Sequence, residues 1–189
     1  MMVVAVLDAC VLYSAVLRDL LMLLTVQTVF QPKWTETIHD EWISSLLNNR
    51  PDLTRDRLER TRQLMNRHSG DWKCRGYELL VSTLVLPDEK DCHVLAAAIA
   101  GNASCIVTYN LSDFPESVLS KYDIIAQHPD VFLTNLLVQE PEAFFQAVRE
   151  LLASLKNPPR TFEEQLEIMS EQGLEETARQ LAGQWVATP

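Results

Sequence analysis

Four acids far apart in the chain, Asp8, Glu41, Asp91 and Asp113, are the residues whose type and setting point to chemistry. Asp8 closes Val3–Leu7 (VVAVL), a short apolar, β-branched run of the kind that forms a buried parallel strand. Asn110 and Asp113 follow a second such run, residues 105–108 (CIVT). In open α/β sheets, ligands bind beyond the carboxyl ends of the strands, so these positions share one rim. Helical phase picks out the other two acids. In the helix opened by Thr35, residues Trp34, Ile38, Trp42 and Leu46 define the buried arc. Glu41 falls at its edge, and Asp40 points nearly opposite. In the helix after Pro87, Val94, Leu95, Ala98 and Ile99 define the arc; Asp91 falls within it, Glu89 and His93 outside. An acid on an apolar face is costly unless it is paired or bound to a metal. Carboxylates converging on one rim repel and raise one another's pKa values, and a divalent cation relieves this. All-oxygen ligation suits Mg²⁺ or Mn²⁺.

Each acid also has a purely structural role open to it. Asp8 suits the N-cap of the helix that follows, and Asp88 that of the helix after Pro87. Asp113 and Glu116 make an Asp-x-x-Glu capping box with Pro115 near its first turn, so capping and metal binding both stay open there. Asp91 resists this reading, because a cap belongs at a helix start and not on its buried stripe. His39, His68, His93 and His128 share no ligand spacing and read as surface or structural. Cys10, Cys74, Cys92 and Cys105 form no Cys-x-x-Cys pair, which argues against zinc and against a disulfide framework.

The elements that must position these acids alternate between strand and helix. Strands are expected at Val3–Leu7, Ser82–Leu86 (STLVL), Cys105–Thr108 and Ile124–Ala126. Between them lie helical stretches to about Val26, from Thr35, from Thr54 with Leu58, Leu64 and Met65 as apolar contacts, from Asp88 to Ala100, and from Pro115 to Lys121. Pro32 breaks a short segment. This order predicts an α/β fold, a central parallel sheet covered on both faces. From about Pro141 the pattern is helical only: one helix ending at Asn157-Pro158-Pro159, one capped by Thr161 and Glu164 and ended by Gly173, and one to about Trp185. The expected division is residues 1–139 as the α/β domain and 140–189 as a helical extension.

At 47% hydrophobic residues the chain has the composition of a folded domain, and a net charge of −10 argues against a simple electrostatic nucleic-acid binder. Yet residues 50–75 hold eight of the sixteen Lys and Arg against four acids. Arg55, Arg57, Arg60 and Arg62 form either a solvated helix face or a phosphate-contacting ridge, the second gaining weight if an active site faces them. No run is apolar enough to span a bilayer and no leader-like cleavage pattern is seen, so a cytoplasmic protein without membrane contact is expected.

The segments VVAVLDACVLYSAVLRDLL, TETIHDEWISSLL, LPDEKDCHVLAAAIAGNASCIVTYNLSDFP and YDIIAQHPDVFL resemble, in order and spacing, the PIN-domain nucleases, specifically the bacterial VapC-like toxins. The tail NPPRTFEEQLEIMSEQGLEETARQLAG resembles a C-terminal extension of one subgroup. The resemblance implies a three-layer α/β/α fold and a metal-dependent endoribonuclease with Asp8, Glu41, Asp91 and Asp113 as metal ligands and catalytic acids. It places Thr108 and Asn110 in the pocket as supporting polar groups. It implies hydrolysis by metal-activated water, a protein antitoxin as partner, and frequent dimerisation. One departure stands out: many members carry Asp-x-Asn at the first motif, where this chain has Asp8-Ala9-Cys10. The rivals are a phosphotransfer domain, which wants a second acid beside the first strand, and a non-catalytic RNA-binding or regulatory protein of the same fold.

Overall fold

In a computed structural model describing residues 2–156 and 158–185, the VVAVL run is strand β1 (Val3–Leu7). Helices α1 (Ala9–Tyr13) and α2 (Ala15–Val26) follow, parted at Ser14, whose hydroxyl accepts from the Leu17 amide. Then come β2 (Phe30–Lys33), α3 (Glu36–Asn49), α4 (Arg55–His68), the one-turn α5 (Glu78–Val81), α6 (Cys92–Ala100), β3 (Cys105–Val107), the short α7 (Glu116–Leu119) and β4 (Ile125–Gln127). Four more helices complete the chain: α8 (Pro129–Gln139), α9 (Pro141–Ser154), α10 (Phe162–Glu171) and α11 (Glu175–Gln184). No helix among the described residues is long and apolar enough to cross a membrane.

The four strands form one all-parallel sheet in the order β2-β1-β3-β4, flanked by helices. Ala5, Val6 and Leu7 of β1 and Cys105, Ile106 and Val107 of β3 are all buried, which is why both inner strands read as unbroken apolar runs. Because β1 and β3 are adjacent and parallel, Leu7 pairs with Val107, and Asp8 and Thr108 leave the sheet side by side.

Several elements differ from the expectation. Ser82–Leu86 is not a strand: Thr83 and Leu84 close turns onto Leu80 and Val81, and Val85 is exposed. Its β-forming residues have no neighbouring strand to pair with. The segment broken by Pro32 is instead β2, which lies at the sheet edge, where a residue without an N–H is tolerated. Leu64 is half exposed rather than packed. Within α4 the buried contacts are Leu58 and Met65. The chain between β4 and Pro141 forms α8, which the pattern did not reveal. The helix from Pro141 ends at Ser154, ahead of the expected breakers, of which Asn157 lies outside the described residues.

The last helices extend the core rather than stand apart from it. Phe144, Ala147, Val148, Leu151, Leu174 and Leu181 all belong to the buried cluster. The Thr161–Glu164 capping box forms in full. Gly173 turns the chain after α10 in the left-handed region, at φ +77°, where a side chain would be strained. Asp130 of α8 then caps α11, its carboxylate accepting from the amides of Glu176 (3.0 Å) and Thr177 (2.8 Å) and from the Thr177 hydroxyl (2.6 Å).

Candidate active site

Asp8 sits just past β1, buried, and its carboxylate is held by three donors. Oδ1 accepts from the Ala9 amide at 2.6 Å, and Oδ2 accepts from the Thr108 hydroxyl at 2.7 Å and from the Cys10 thiol at 3.1 Å. The cap of α1 and a place in the acidic site are therefore compatible. Thr108 in turn accepts from the Asn110 amide at 3.0 Å, tying the loop after β3 to Asp8. Cys10 lies between Asp8 and the loop after β3: the thiol donates to Asp8 and accepts from the Tyr109 amide at 3.4 Å. Burial, and then the Asp8 charge, push this thiol up to about 12, so it stays a neutral donor. Cys10→Ala removes the donor without adding bulk, and is expected to cost about 1–2 kcal/mol in urea denaturation, with Cys10→Ser nearer the parent. Equal stability of all three proteins would show that the thiol does not anchor Asp8.

Asp91 enters differently from expectation. The segment after Pro87 is not one helix: Glu89–Asp91 is a 3-10 turn, capped by Asp88 through the Lys90 amide, and α6 begins at Cys92. Asp91 thus stands at the N-cap position but makes no capping bond. Its side chain accepts no hydrogen bond among the described residues. Burial first, then the charges of Asp8, Asp88 and Asp113, push its carboxyl up to about 6, with His93 acting the other way. Asp113 ends a second 3-10 turn, Leu111–Asp113. The Asp113–Glu116 capping box does not form, since Pro115 is the N-cap of α7 and no side-chain bond caps it. Asp113 is thereby left without a hydrogen-bond partner for its carboxylate among the described residues.

Glu41, on α3, is partly exposed and accepts from or shares a proton with His93 Nε2 at 2.9 Å. His93 is the residue the helical phase passed over. It lies outside the apolar arc of α6, yet its side chain is only 12% exposed, because the face outside that arc is turned toward α3. Its Nδ1 is buried with no partner. The other histidines are structural or exposed. His39 is fully buried against Asn66 and Trp42, His128 caps α8, and His68 is exposed at the end of α4.

The charges of Asp8 and Asp113 both act on Asp91, as does that of His93, which is hydrogen-bonded to Glu41. The structure does not close these acids into a coordination sphere. Among the described residues, no three His, Cys, Asp or Glu side chains stand close enough to hold one metal ion. The donor chemistry nonetheless fits a hard divalent cation: carboxylate oxygens only, two of the groups unheld among the described residues, and one pushed toward protonation by burial and then by its acidic neighbours. Asn110 is exposed, and its role in the geometry is the backbone amide that meets Thr108.

The basic segment is divided. Arg55, Arg57 and Arg60 of α4 are exposed, with Arg55 within 3.9 Å of Glu59. Arg62 is only 17% exposed and is engaged by Glu36, Asp40 (2.9 Å) and Glu59 (3.5 Å). That triple pairing ties α4 to α3 and leaves Arg62 little capacity for phosphate.

Two family models match the chain: one described as PIN domain over residues 4–112, and one described as VapC50 C-terminal domain over residues 129–183. A relative described as "Putative ribonuclease VapC50", from Mycobacterium tuberculosis (strain ATCC 25618 / H37Rv), is 41% identical over 83 residues, 44% of this chain and 49% of that protein. The match thus spans about half the length of that relative. No solved structure matches.

Proposed function

The chain belongs to the PIN-domain family, whose model matches more than half of its residues, and from that premise we propose that it is a divalent-metal-dependent endoribonuclease. In this reading it is the toxin of a toxin–antitoxin pair and acts in the cytoplasm. The observation that carries the reading is that Asp8 and Asp113, which follow β1 and β3, both act on Asp91 at the start of α6, whose carboxyl is raised by burial and then by these charges. The relative's description as a ribonuclease supports RNA over DNA as the substrate. The match to a VapC50 C-terminal domain over residues 129–183 supports a toxin of that subgroup; in this reading its partners are a protein antitoxin and a second copy of the chain.

Asp8, Asp91, Asp113 and Glu41 would hold Mg²⁺ or Mn²⁺, which when bound supplies a water of lowered pKa and neutralises charge on the scissile phosphate. Asp8 is the rigid member, fixed by Thr108, Cys10 and the Ala9 amide. Asp91 and Asp113 are the members free to draw in. His93 positions Glu41 through its Nε2. Asn110 and Thr108 support the rim, and the exposed arginines of α4 offset the repulsion between the acids and an RNA backbone.

Incubation with a mixed RNA pool and with single-stranded DNA, in Mg²⁺, Mn²⁺ or EDTA, beside Asp91→Asn, tests the reading. Metal-dependent RNA cleavage lost in Asp91→Asn is the expected result. A folded protein, free of antitoxin, that cuts nothing in either metal would overturn it in favour of a non-catalytic RNA-binding or regulatory role. For the arginines, replacing Arg55, Arg57 and Arg60 with Ala is expected to reduce the salt slope of RNA binding by about 1 per lost phosphate contact. Arg62→Ala is expected instead to lower the melting temperature, because it breaks the link between α3 and α4. An unchanged salt slope in the triple variant would remove α4 from the RNA path.

A further inference from the structure

Of the cavities among the described residues, one of about 690 Å³ opens at the junction of α1 and α2. Tyr13, Arg18, Arg50 and Arg57 line it, together with Gln172 from the end of α10 and the acids Asp19 and Asp52. Asp52 is already bound bidentately by Arg50, at 2.8 and 2.7 Å. Among the described residues Arg57 makes no ion pair, though its charge acts on Asp52. Arg18 is 7% exposed, with one guanidinium nitrogen on the Leu12 carbonyl at 2.7 Å and its plane over the Trp42 ring. Its Nε–H is buried and has no partner. That Nε is closed off from the cavity, but the Arg18 guanidinium is among the groups that line it, and an anionic oxygen there would offset its desolvation.

The cavity also has a fixed relation to the acids. Asp8 caps the start of α1, and Tyr13 ends it. Five residues of helix separate the two by about 7 Å, on the scale of one step along an extended nucleic-acid strand. Gln172 links both sides of the rim: its Oε1 accepts from the Ser14 hydroxyl at 2.5 Å, and its carbonyl accepts from the Tyr109 hydroxyl at 2.9 Å. Its Nε2 amide has no partner among the described residues. The helical extension therefore walls the cavity beside Ser14 and Tyr109.

We propose that this cavity is a nucleotide subsite for single-stranded RNA, next to the scissile phosphate, with the extension contributing Gln172 to it. The phosphate meets Arg57 and the guanidinium of Arg18, and the base lies against Tyr13 and the apolar wall. This rests on the ribonuclease reading. It goes further by giving the extension a part in substrate binding.

The test is fluorescence anisotropy with a short unstructured RNA in Mg²⁺, on the Asp91→Asn background so that the strand survives. Ala15→Trp fills the cavity from an exposed position on its wall, and Arg57→Glu reverses its charge. Arg67→Glu, with the same charge change at the far end of α4, is the control. The two cavity variants are expected to weaken binding about tenfold each, and the control less than about threefold. Melting temperatures establish folding, and Arg57→Glu, on an exposed helix face, stands if Ala15→Trp does not fold. Equal losses for Arg57→Glu and Arg67→Glu, or undiminished binding in a folded Ala15→Trp, would overturn the subsite. Cleavage by the same variants with Asp91 intact separates the two readings. RNA cleaved by the parent but bound equally by the cavity variants sinks the subsite alone. A parent that neither cleaves nor binds RNA sinks both.

Discussion

Asp91→Asn is expected to end RNA cleavage, by about a thousandfold or more, and at the same time to make the metal-free protein more stable at neutral pH. The two effects share one cause. Asp91 is partly buried, faces Asp8, Asp88 and Asp113, and has no donor to hold its charge, so its carboxyl is pushed up to about 6. A carboxyl raised in the folded state binds more protons there than in the unfolded chain between about pH 4 and 6. Stability is therefore lost as the pH climbs through that window, and the penalty is complete above it. Because the group is partly solvated, screening reduces the penalty to about 1 kcal/mol. The uncharged Asn escapes it, which corresponds to a rise of about 2–4 °C in melting temperature above pH 6. Mg²⁺ or Mn²⁺ should stabilise the parent more than the variant, since the ion neutralises the repulsion that Asn has already removed. A variant that melts lower than the parent at pH 8, or that still cuts RNA, would mean that Asp91 is an ordinary structural acid.

What could be read in the residues beforehand follows from how local each signal was. Strands β1 and β3 are buried on both faces, so their apolar runs were visible, and the acids that close them lay where strand ends must lie. Thr35, Thr54 and the Thr161–Glu164 pair announced their helices, because a cap is made by residues a turn apart. β2 was hidden, because Phe-Gln-Pro-Lys becomes a strand only by pairing with β1. Conversely, Ser82–Leu86 has strand-forming residues and no strand to pair with. In α8, Val131 and Val138 are exposed while Phe132, Leu133, Leu136 and Leu137 are buried, so apolar residues on both faces blur the helical pattern. Asp8, Asp91 and Asp113 were expected to share one rim, but the phase argument for Asp91 assumed a helix from Asp88, whereas α6 begins at Cys92. His93 was out of reach for a different reason. A residue outside an apolar arc is expected in solvent, and only the tertiary fold brings Glu41 of α3 to it instead.

Asp8→Ala is expected to lose cleavage as fully as Asp91→Asn and to move stability the opposite way, by about 2–4 kcal/mol of destabilisation. Asp8 is buried like a core residue, but each of its oxygens has an assigned donor. Removing it strands the Thr108 hydroxyl, the Cys10 thiol and the Ala9 amide, and releases the start of α1 from its cap. Thr108 also holds the Asn110 amide, so the loop after β3 loosens along with α1. Asp8→Asn keeps one acceptor oxygen and sets an amide against the remaining donors, so its loss should fall between that of the parent and Asp8→Ala. Urea denaturation of the three proteins without metal checks the order. If Asp8→Ala were as stable as the parent, the hydrogen bonds around Asp8 would not be what fixes the rim. If both Asp8→Ala and Asp91→Asn were stabilised, all the carboxylates would be equally frustrated, and no rigid member would exist for the others to close upon. The expected outcome, equal loss of activity with opposite signs in stability, requires one acid anchored by the fold and another held against its own charge, an arrangement that favours a bound cation.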